Sequence, residues 1–162
     1  MRIRSWVVAA AALLAMSASL APTTANAALS CNVNAGGTLP FGSHPALAGA
    51  GPFNITGTFG IKCNAAGVTT TPVTVSLDAG LNAAGIIANR KMKRTTLPAV
   101  FLGYQIYQNA AHTTIFGNGA GQTRGVTTTG SATLTINMFG QIPTTTAEPG
   151  IYKDTVNVTI TF

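Results

Sequence analysis

The sequence ends in the stretch TVNVTITF, residues 155–162, in which apolar and polar side chains alternate. The apolar members are Val156, Val158, Ile160 and Phe162. Alternation with a period of two predicts a β-strand that turns one face to the core. The stretch contains neither proline nor charge, the features that usually protect an exposed strand edge. We therefore expect it either to lie in the centre of a sheet or to form an edge that a partner strand fills.

Four earlier segments show the same alternation and are predicted to be strands. Their inward rows are Ile55, Gly57, Phe59, Ile61 and Cys63; Val73, Val75 and Leu77; Leu102, Tyr104 and Ile106; and Ala132, Leu134, Ile136 and Met138. Turn signals rich in glycine separate these rows, and only residues 78–94 leave room for a helical turn. Short strands between turns predict an all-β domain, with a β-sandwich as first choice and a barrel as second. No linker divides the chain after residue 27.

Residues 1–27 have the organisation of a cleaved secretory signal peptide. Arg2 and Arg4 precede an apolar run over residues 6–16, and Ala25-Asn26-Ala27 supplies the small residues that signal peptidase requires. The apolar run is shorter than the roughly 20 residues of a membrane-spanning helix, and no later segment has that length. We predict a mature chain of residues 28–162 that is exported and has no membrane span.

Export determines how the two cysteines are interpreted. Cys31 and Cys63 are the only cysteines, and in an oxidising compartment such a pair is expected to form a disulfide. The rival interpretations are a metal site and a nucleophilic thiol. Both are weaker, because the cysteines lack a CxxC spacing and the only histidines are His44 and His112.

The composition offers little material for catalysis. Only 7% of the 162 residues are charged, and the acidic ones are Asp78, Glu148 and Asp154. No serine has the GxSxG context of a hydrolase nucleophile, although Ser43 precedes His44. Glu148 and Asp154 flank a Pro-Gly turn, where capping and solvation explain them better than a glycosidase pair does. The sequence therefore predicts a structural or binding protein without catalytic residues, cofactor or metal.

A basic run, Arg90-Lys91-Met92-Lys93-Arg94, contains much of the positive charge. Once Arg2 and Arg4 are removed with the signal, seven basic and three acidic residues remain, a mature charge of about +4. Such a run attracts polyanions, but a solvated loop is the first interpretation. Nucleic acid is not an expected partner, because the chain is exported and has no recognition motif.

Several motifs, in order along residues 31–162, resemble those of the spore coat protein U domain family. They are Cys31, LPFGS at 39–43, IKC at 61–63, RKM at 90–92, LGYQIYQN at 102–109, NMFGQIP at 137–143 and PGIYKDTV at 149–156. One difference is IFG at 115–117, where many members have a tryptophan before the glycine. Phe116 is expected to replace it as a packing residue.

This resemblance implies an incomplete immunoglobulin-like sandwich of an archaic chaperone–usher pilus. A subunit of this kind lacks its final strand, which a periplasmic chaperone and then a neighbouring pilus subunit supply, with an outer-membrane usher driving the exchange. Residues 155–162 would form one wall of the groove through Val156, Val158, Ile160 and Phe162, and Cys31–Cys63 would be the family disulfide. The chain would reach the cell surface through the periplasm and serve attachment and biofilm formation.

Cleavage after Ala27 would leave only Ala28, Leu29 and Ser30 before Cys31. A donor strand needs about ten alternating residues, so the chain is expected to accept a strand without donating one, as at a fibre end. Two alternatives remain at the sequence level. One is a self-contained secreted spore-coat or surface binding protein with a complete sandwich, and the other is a module that binds polyanions through residues 90–94.

Overall fold

The computed structural model describes residues 29–41, 52–64, 70–143 and 148–162. The predicted signal peptide and the Ser43-His44 pair lie outside these residues. The described part contains ten strands and one short 3-10 helix, Ile87–Asn89. The strands are β1 (Ser30–Ala35), β2 (Phe53–Asn64), β3 (Thr71–Leu77), β4 (Lys91–Arg94), β5 (Phe101–Gly103), β6 (Gln105–Tyr107), β7 (Arg124–Thr128), β8 (Thr133–Ile142), β9 (Tyr152–Lys153) and β10 (Val158–Thr161).

The strands form three antiparallel sheets, in the orders β1-β2-β8-β6, β10-β3-β7 and β5-β4-β9. The predicted all-β, immunoglobulin-like sandwich is confirmed. The longest pairing joins β2 to β8 from Phe53↔Ile142 to Lys62↔Thr133. The chain crosses from one sheet to another at Tyr104, because β5 pairs with β4 whereas β6 pairs with β8.

The inward rows predicted from the alternation make up most of the core. One cluster joins buried side chains from all three sheets, namely Phe59, Ile61, Cys63, Val73, Val75, Leu77, Met92, Leu102, Tyr104, Ile106, Phe116, Ile136, Met138 and Ile142. Ala132 departs from its row, because it precedes β8 and is exposed. Phe116 is fully buried, which confirms its expected packing role.

The disulfide predicted from export is present. Cys31 and Cys63 lie directly opposite each other on β1 and β2, with Cα atoms 4.0 Å apart and an S–S distance of 2.11 Å. The bond therefore ties β1 to the sheet at the point where the described chain begins.

The solvated loop expected at residues 90–94 is wrong. Residues 91–94 form β4, and only 1% of the Arg90 surface is exposed. Met92 is also buried, so the residues at even positions face inward and Lys91 and Lys93 face outward. The cause is the ordinary alternation of a strand, which the high density of charge in this run concealed.

The C-terminal strand is shorter than predicted, and it lies at a sheet edge. β10 begins at Val158 rather than Thr155, and in the part of the chain that the structure describes it pairs with β3 alone. Of the two positions open at the sequence level, the edge is the observed one. None of the described helical segments has the length and apolar character needed to cross a membrane.

Candidate functional site

An apolar groove of about 620 Å³ opens between β1 and the segment that precedes β10. One wall consists of Val33, residues 36–39 and Phe41, and the other consists of residues 152–158. The floor is formed by side chains of the sandwich core: Phe59, Leu77, Met92, Tyr104, Ile106 and Met138. The groove is thus a place where none of the three sheets covers the core.

Glycines allow the first wall to pass close to the face of the β2–β8 pair. A Cβ at Gly57 would collide with the carbonyl oxygen of Thr38 and lie 2.9 Å from Leu39 Cδ2. A Cβ at Gly140 would lie 2.7 Å from Phe41 Cζ. The Phe41 ring in turn meets Tyr104 edge-on, at 6.0 Å between ring centres. Residues 38–41 therefore occupy space that only glycine at the facing positions leaves open.

Carboxylates hold the second wall in place. Asp78 accepts hydrogen bonds from both the backbone N and Nδ2 of Asn157, at 2.9 and 2.6 Å. Asp154 accepts from the Tyr104 hydroxyl at 2.7 Å, and also from Asn82 Nδ2 and the backbone N of Leu81. These bonds replace strand pairing over residues 154–157, which explains why β10 starts later than the alternation predicts.

The third carboxylate fixes the start of the same wall. Glu148 receives a hydrogen bond from Arg94 Nη1 at 2.6 Å, and its backbone carbonyl accepts one from the Tyr152 hydroxyl. All three acidic residues of the sequence therefore hold residues 148–157. Glu148 is exposed beside its turn, as the sequence analysis expected, whereas Asp154 is half-buried and binds donors from Leu81, Asn82 and Tyr104 instead of capping the turn.

Burial and hydrogen bonding shift two pKa values beside the groove. Burial by itself raises the pKa of Asp78, but the hydrogen bonds from Asn157 and Gly80 outweigh it, so the pKa lies below the ordinary value of 3.8. Burial, followed by the hydrogen bond to Asp154, raises the pKa of Tyr104 far above its ordinary value. Tyr104 therefore stays a neutral donor and Asp78 a charged acceptor near neutral pH.

Arg90 supports the groove from below, a role that the sequence analysis missed. Its guanidinium donates to the Asp78 carbonyl, to Gln105 Oε1 at 2.8 Å and to the Phe116 carbonyl at 2.8 Å. Burial lowers the pKa of this arginine. The sequence did contain a signal that Arg90 is buried. Arg90 lies two residues before Met92, so both belong to the same inward-facing row.

The four side chains predicted to form the groove wall divide into two pairs. Val156 and Val158 line the groove. Ile160 packs against the core farther along β10 but does not line the groove, and Phe162 is 58% exposed. Lining residues that the sequence analysis did not select come mainly from residues 36–41, whose irregular backbone gives no periodic signal.

The sequence matches a known family of protein domains. A family described as the Spore Coat Protein U domain matches residues 16–159. The chain belongs to the spore coat protein U domain family. The resemblance seen in the motifs is thereby confirmed. The match begins inside the predicted signal peptide, so the start of the mature chain stays a prediction.

A solved structure has a similar fold. It is one chain of the CsuC–CsuE chaperone–tip adhesion subunit pre-assembly complex from the archaic chaperone–usher Csu pili of Acinetobacter baumannii. The two chains are 24% identical, with a TM-score of 0.51, and the similarity covers 83% of this chain and 40% of the other. This chain thus spans less than half of that relative's length. No curated protein matches it.

The described residues contain no cluster of three or more His, Cys, Asp or Glu side chains able to hold a metal ion. The carboxylates near the groove are engaged by backbone and side-chain donors from the same chain. What the groove offers a ligand is apolar surface beside an unpaired strand edge, which suits an extended peptide.

Proposed function

We propose that this chain is a structural or adhesive subunit of a chaperone–usher surface pilus, with the groove accepting a strand from a partner. The proposal rests on one observation. Core residues form the groove floor, and the adjoining edge of β10 has no partner strand in the described part of the chain. Family membership and the fold of the Csu complex chain support it.

A strand laid in the groove would satisfy two physical requirements together. Its backbone would pair with the N–H and C=O groups on the edge of β10 that has no partner strand in the described part of the chain. Its alternate side chains would cover the floor formed by residues such as Phe59, Tyr104 and Met138. Each apolar side chain fully buried there contributes about 1.5–3 kcal/mol. The sandwich is incomplete in this proposal until such a strand arrives.

The proposed partners follow from this requirement. A periplasmic chaperone would supply the strand first, an outer-membrane usher would drive its exchange, and a neighbouring pilus subunit would supply it in the fibre. The chain would then reach the cell surface and contribute to attachment and biofilm formation. Within the predicted wall, Val156 and Val158 are the residues we propose to touch the incoming strand.

The test is periplasmic co-expression with the chaperone of the same gene neighbourhood, followed by pull-down and intact mass measurement. We expect a one-to-one complex, and degradation or aggregation of the chain when the chaperone is omitted. A stable chain that melts cooperatively without any chaperone would overturn the proposal and favour a complete, self-contained binding module.

Two neighbouring substitutions on β10 sharpen this test. Val158→Asp places a charge in the groove, whereas Thr159→Asp places the same charge on the exposed face of the same strand. We expect V158D to abolish recovery of the chaperone complex and T159D to retain it. Equal recovery of the two variants would show that the groove is not the binding site.

A further inference from the structure

The β5-β4-β9 sheet exposes a row of positive side chains on its outer face. Lys93 of β4 lies directly opposite Lys153 of β9 on one side and Phe101 of β5 on the other. Lys91 lies two residues along β4 and shares the same face. The opposite face of this sheet carries the buried Met92 and Leu102. We call the outer set Lys91, Lys93, Lys153 and Phe101 the lysine face, which adjoins the groove at Lys153, a residue of the groove wall.

The chain provides no counter-charge for the lysine face. The three acidic residues of the sequence are held elsewhere: Glu148 by Arg94, and Asp78 and Asp154 by donors at the groove wall. In the described part of the chain, no ion pair involves any lysine of the face. Since like charges directly opposite each other across two strands are destabilising, Lys93 and Lys153 are better satisfied with an anion between them.

An exposed aromatic ring adjoins the charges. Phe101 is 51% exposed and shares the cross-strand position of Lys93. Beside Lys91, the facing residue is Gly103, where a Cβ would meet nothing within 4 Å. Positive side chains, the exposed ring of Phe101 and the uncovered backbone of Gly103 therefore lie next to one another on this sheet.

We propose that the lysine face binds an anionic polysaccharide. Repeated anionic groups of the polymer bind Lys91, Lys93 and Lys153, and a sugar ring packs on Phe101. This inference rests on the proposed function, because export to the cell surface is what brings the chain to such polymers. It also corrects the polyanion hypothesis from the sequence. Arg90 is buried and Arg94 is paired with Glu148, so Lys153 and Phe101 replace them.

The experiment measures binding of dextran sulfate, with neutral dextran of the same length as the matched polymer. Lys93→Gln tests the face, and Lys62→Gln is its control, because Lys62 is an exposed lysine on β2. We expect K93Q to weaken binding about fivefold at low salt, as suits one lysine at an anionic surface. K62Q should change the affinity for dextran sulfate by less than twofold. Added salt should weaken the binding of dextran sulfate to all variants.

Equal effects of K93Q and K62Q, or equal binding of neutral dextran, would overturn the proposal. Phe101→Ala tests the sugar contact, with linear polyphosphate as an anion that has no ring. We expect F101A to weaken dextran sulfate binding about threefold to fivefold and to leave polyphosphate binding unchanged. If F101A affects neither polymer, the face recognises charge alone and the assignment to polysaccharide is wrong.

The assay is carried out on the chaperone complex and on the free chain if the free chain is stable. A stable free chain contradicts the proposed pilus function, yet the comparison of K93Q with K62Q still decides this inference. Conversely, a chaperone complex that shows no preference for the sulfated polymer leaves the pilus function standing and overturns the lysine face as a binding site.

Discussion

The guanidinium of Arg90 connects three segments that are distant in the sequence. It reaches the carbonyls of Asp78 and Phe116 and the side chain of Gln105, all within the sandwich. A buried acceptor that loses its donor retains the cost of its desolvation. Arg90 therefore stabilises the groove from the side that no ligand reaches.

Arg90→Ala should lower the free energy of unfolding by about 2–5 kcal/mol, because it leaves buried carbonyls without a donor. The urea midpoint of the purified chain or chaperone complex measures this change. Arg124→Ala is the matched control, since Arg124 makes one hydrogen bond, to the Asn137 carbonyl, and is half-buried. Similar losses in the two variants would contradict the role given to Arg90.

Asp78→Asn should remove part of the pH dependence of stability. The pKa of Asp78 is lowered in the folded chain, so its contribution is complete above the unfolded value of about 3.8 and fades as the pH falls toward the lower folded pKa. Urea midpoints at pH 7, 5 and 3 test this. We expect D78N to be less stable than the unaltered chain at pH 7. We also expect it to lose less stability than the unaltered chain between pH 7 and pH 3.

Glu148→Gln provides the comparison for this experiment. The Glu148 side chain is 61% exposed, so water screens its ion pair with Arg94, and the substitution should alter stability by about 1 kcal/mol at pH 7. A D78N profile that runs parallel to that of the unaltered chain would exclude Asp78 as the carboxylate responsible.

At the scale of elements, the close approach of residues 38–41 to β2 and β8 depends on strand glycines. Gly57→Ala should destabilise the chain by about 1–3 kcal/mol, because its Cβ meets the Thr38 backbone, which has no flexible end to move aside. Gly125→Ala in β7 is the control, since a Cβ there meets nothing within 4 Å. We expect G125A to be neutral or slightly stabilising. Equal losses of melting temperature in the two variants would contradict the contact between Gly57 and residues 38–41.

At the scale of the whole molecule, the groove exists because β10 and β1 approach each other without pairing. The disulfide between Cys31 and Cys63 keeps β1 on its sheet, and the carboxylates keep residues 154–157 on the loop at 78–82. Both walls are therefore held by the rest of the domain, including Tyr104 on the groove floor, without a strand between them.

The mature chain is predicted to begin at Ala28 and to accept a strand without donating one. Intact mass of the periplasmic protein measures the cleavage site directly. If the prediction holds, release from the chaperone should leave the chain unable to form fibres from copies of itself. A mature N-terminus near Leu13, or long homopolymers, would contradict the acceptor-only hypothesis.

Alternation predicted most of the core, because it depends only on which side of a strand each residue faces. Most members of the rows ending at Cys63, Leu77, Ile106 and Met138 lie inside the sandwich, whereas Ala132 is exposed. The strands β1, β4, β7 and β9 were missed, since charge, glycine or polar residues conceal the alternation of the first three and β9 has only two residues. Residues 36–41 were missed as a groove wall because an irregular backbone has no period to detect.

The sequence by itself determined the strand character of residues 158–161, the disulfide and the family, because each is encoded in local order or in residue type. Only the tertiary structure decided that β10 lies at an edge, that Arg90 is buried and that Lys93 faces Lys153. These facts depend on which strands pair and in what register. Which strands pair depends on all strands of the chain together, whereas alternation is a property of each strand separately.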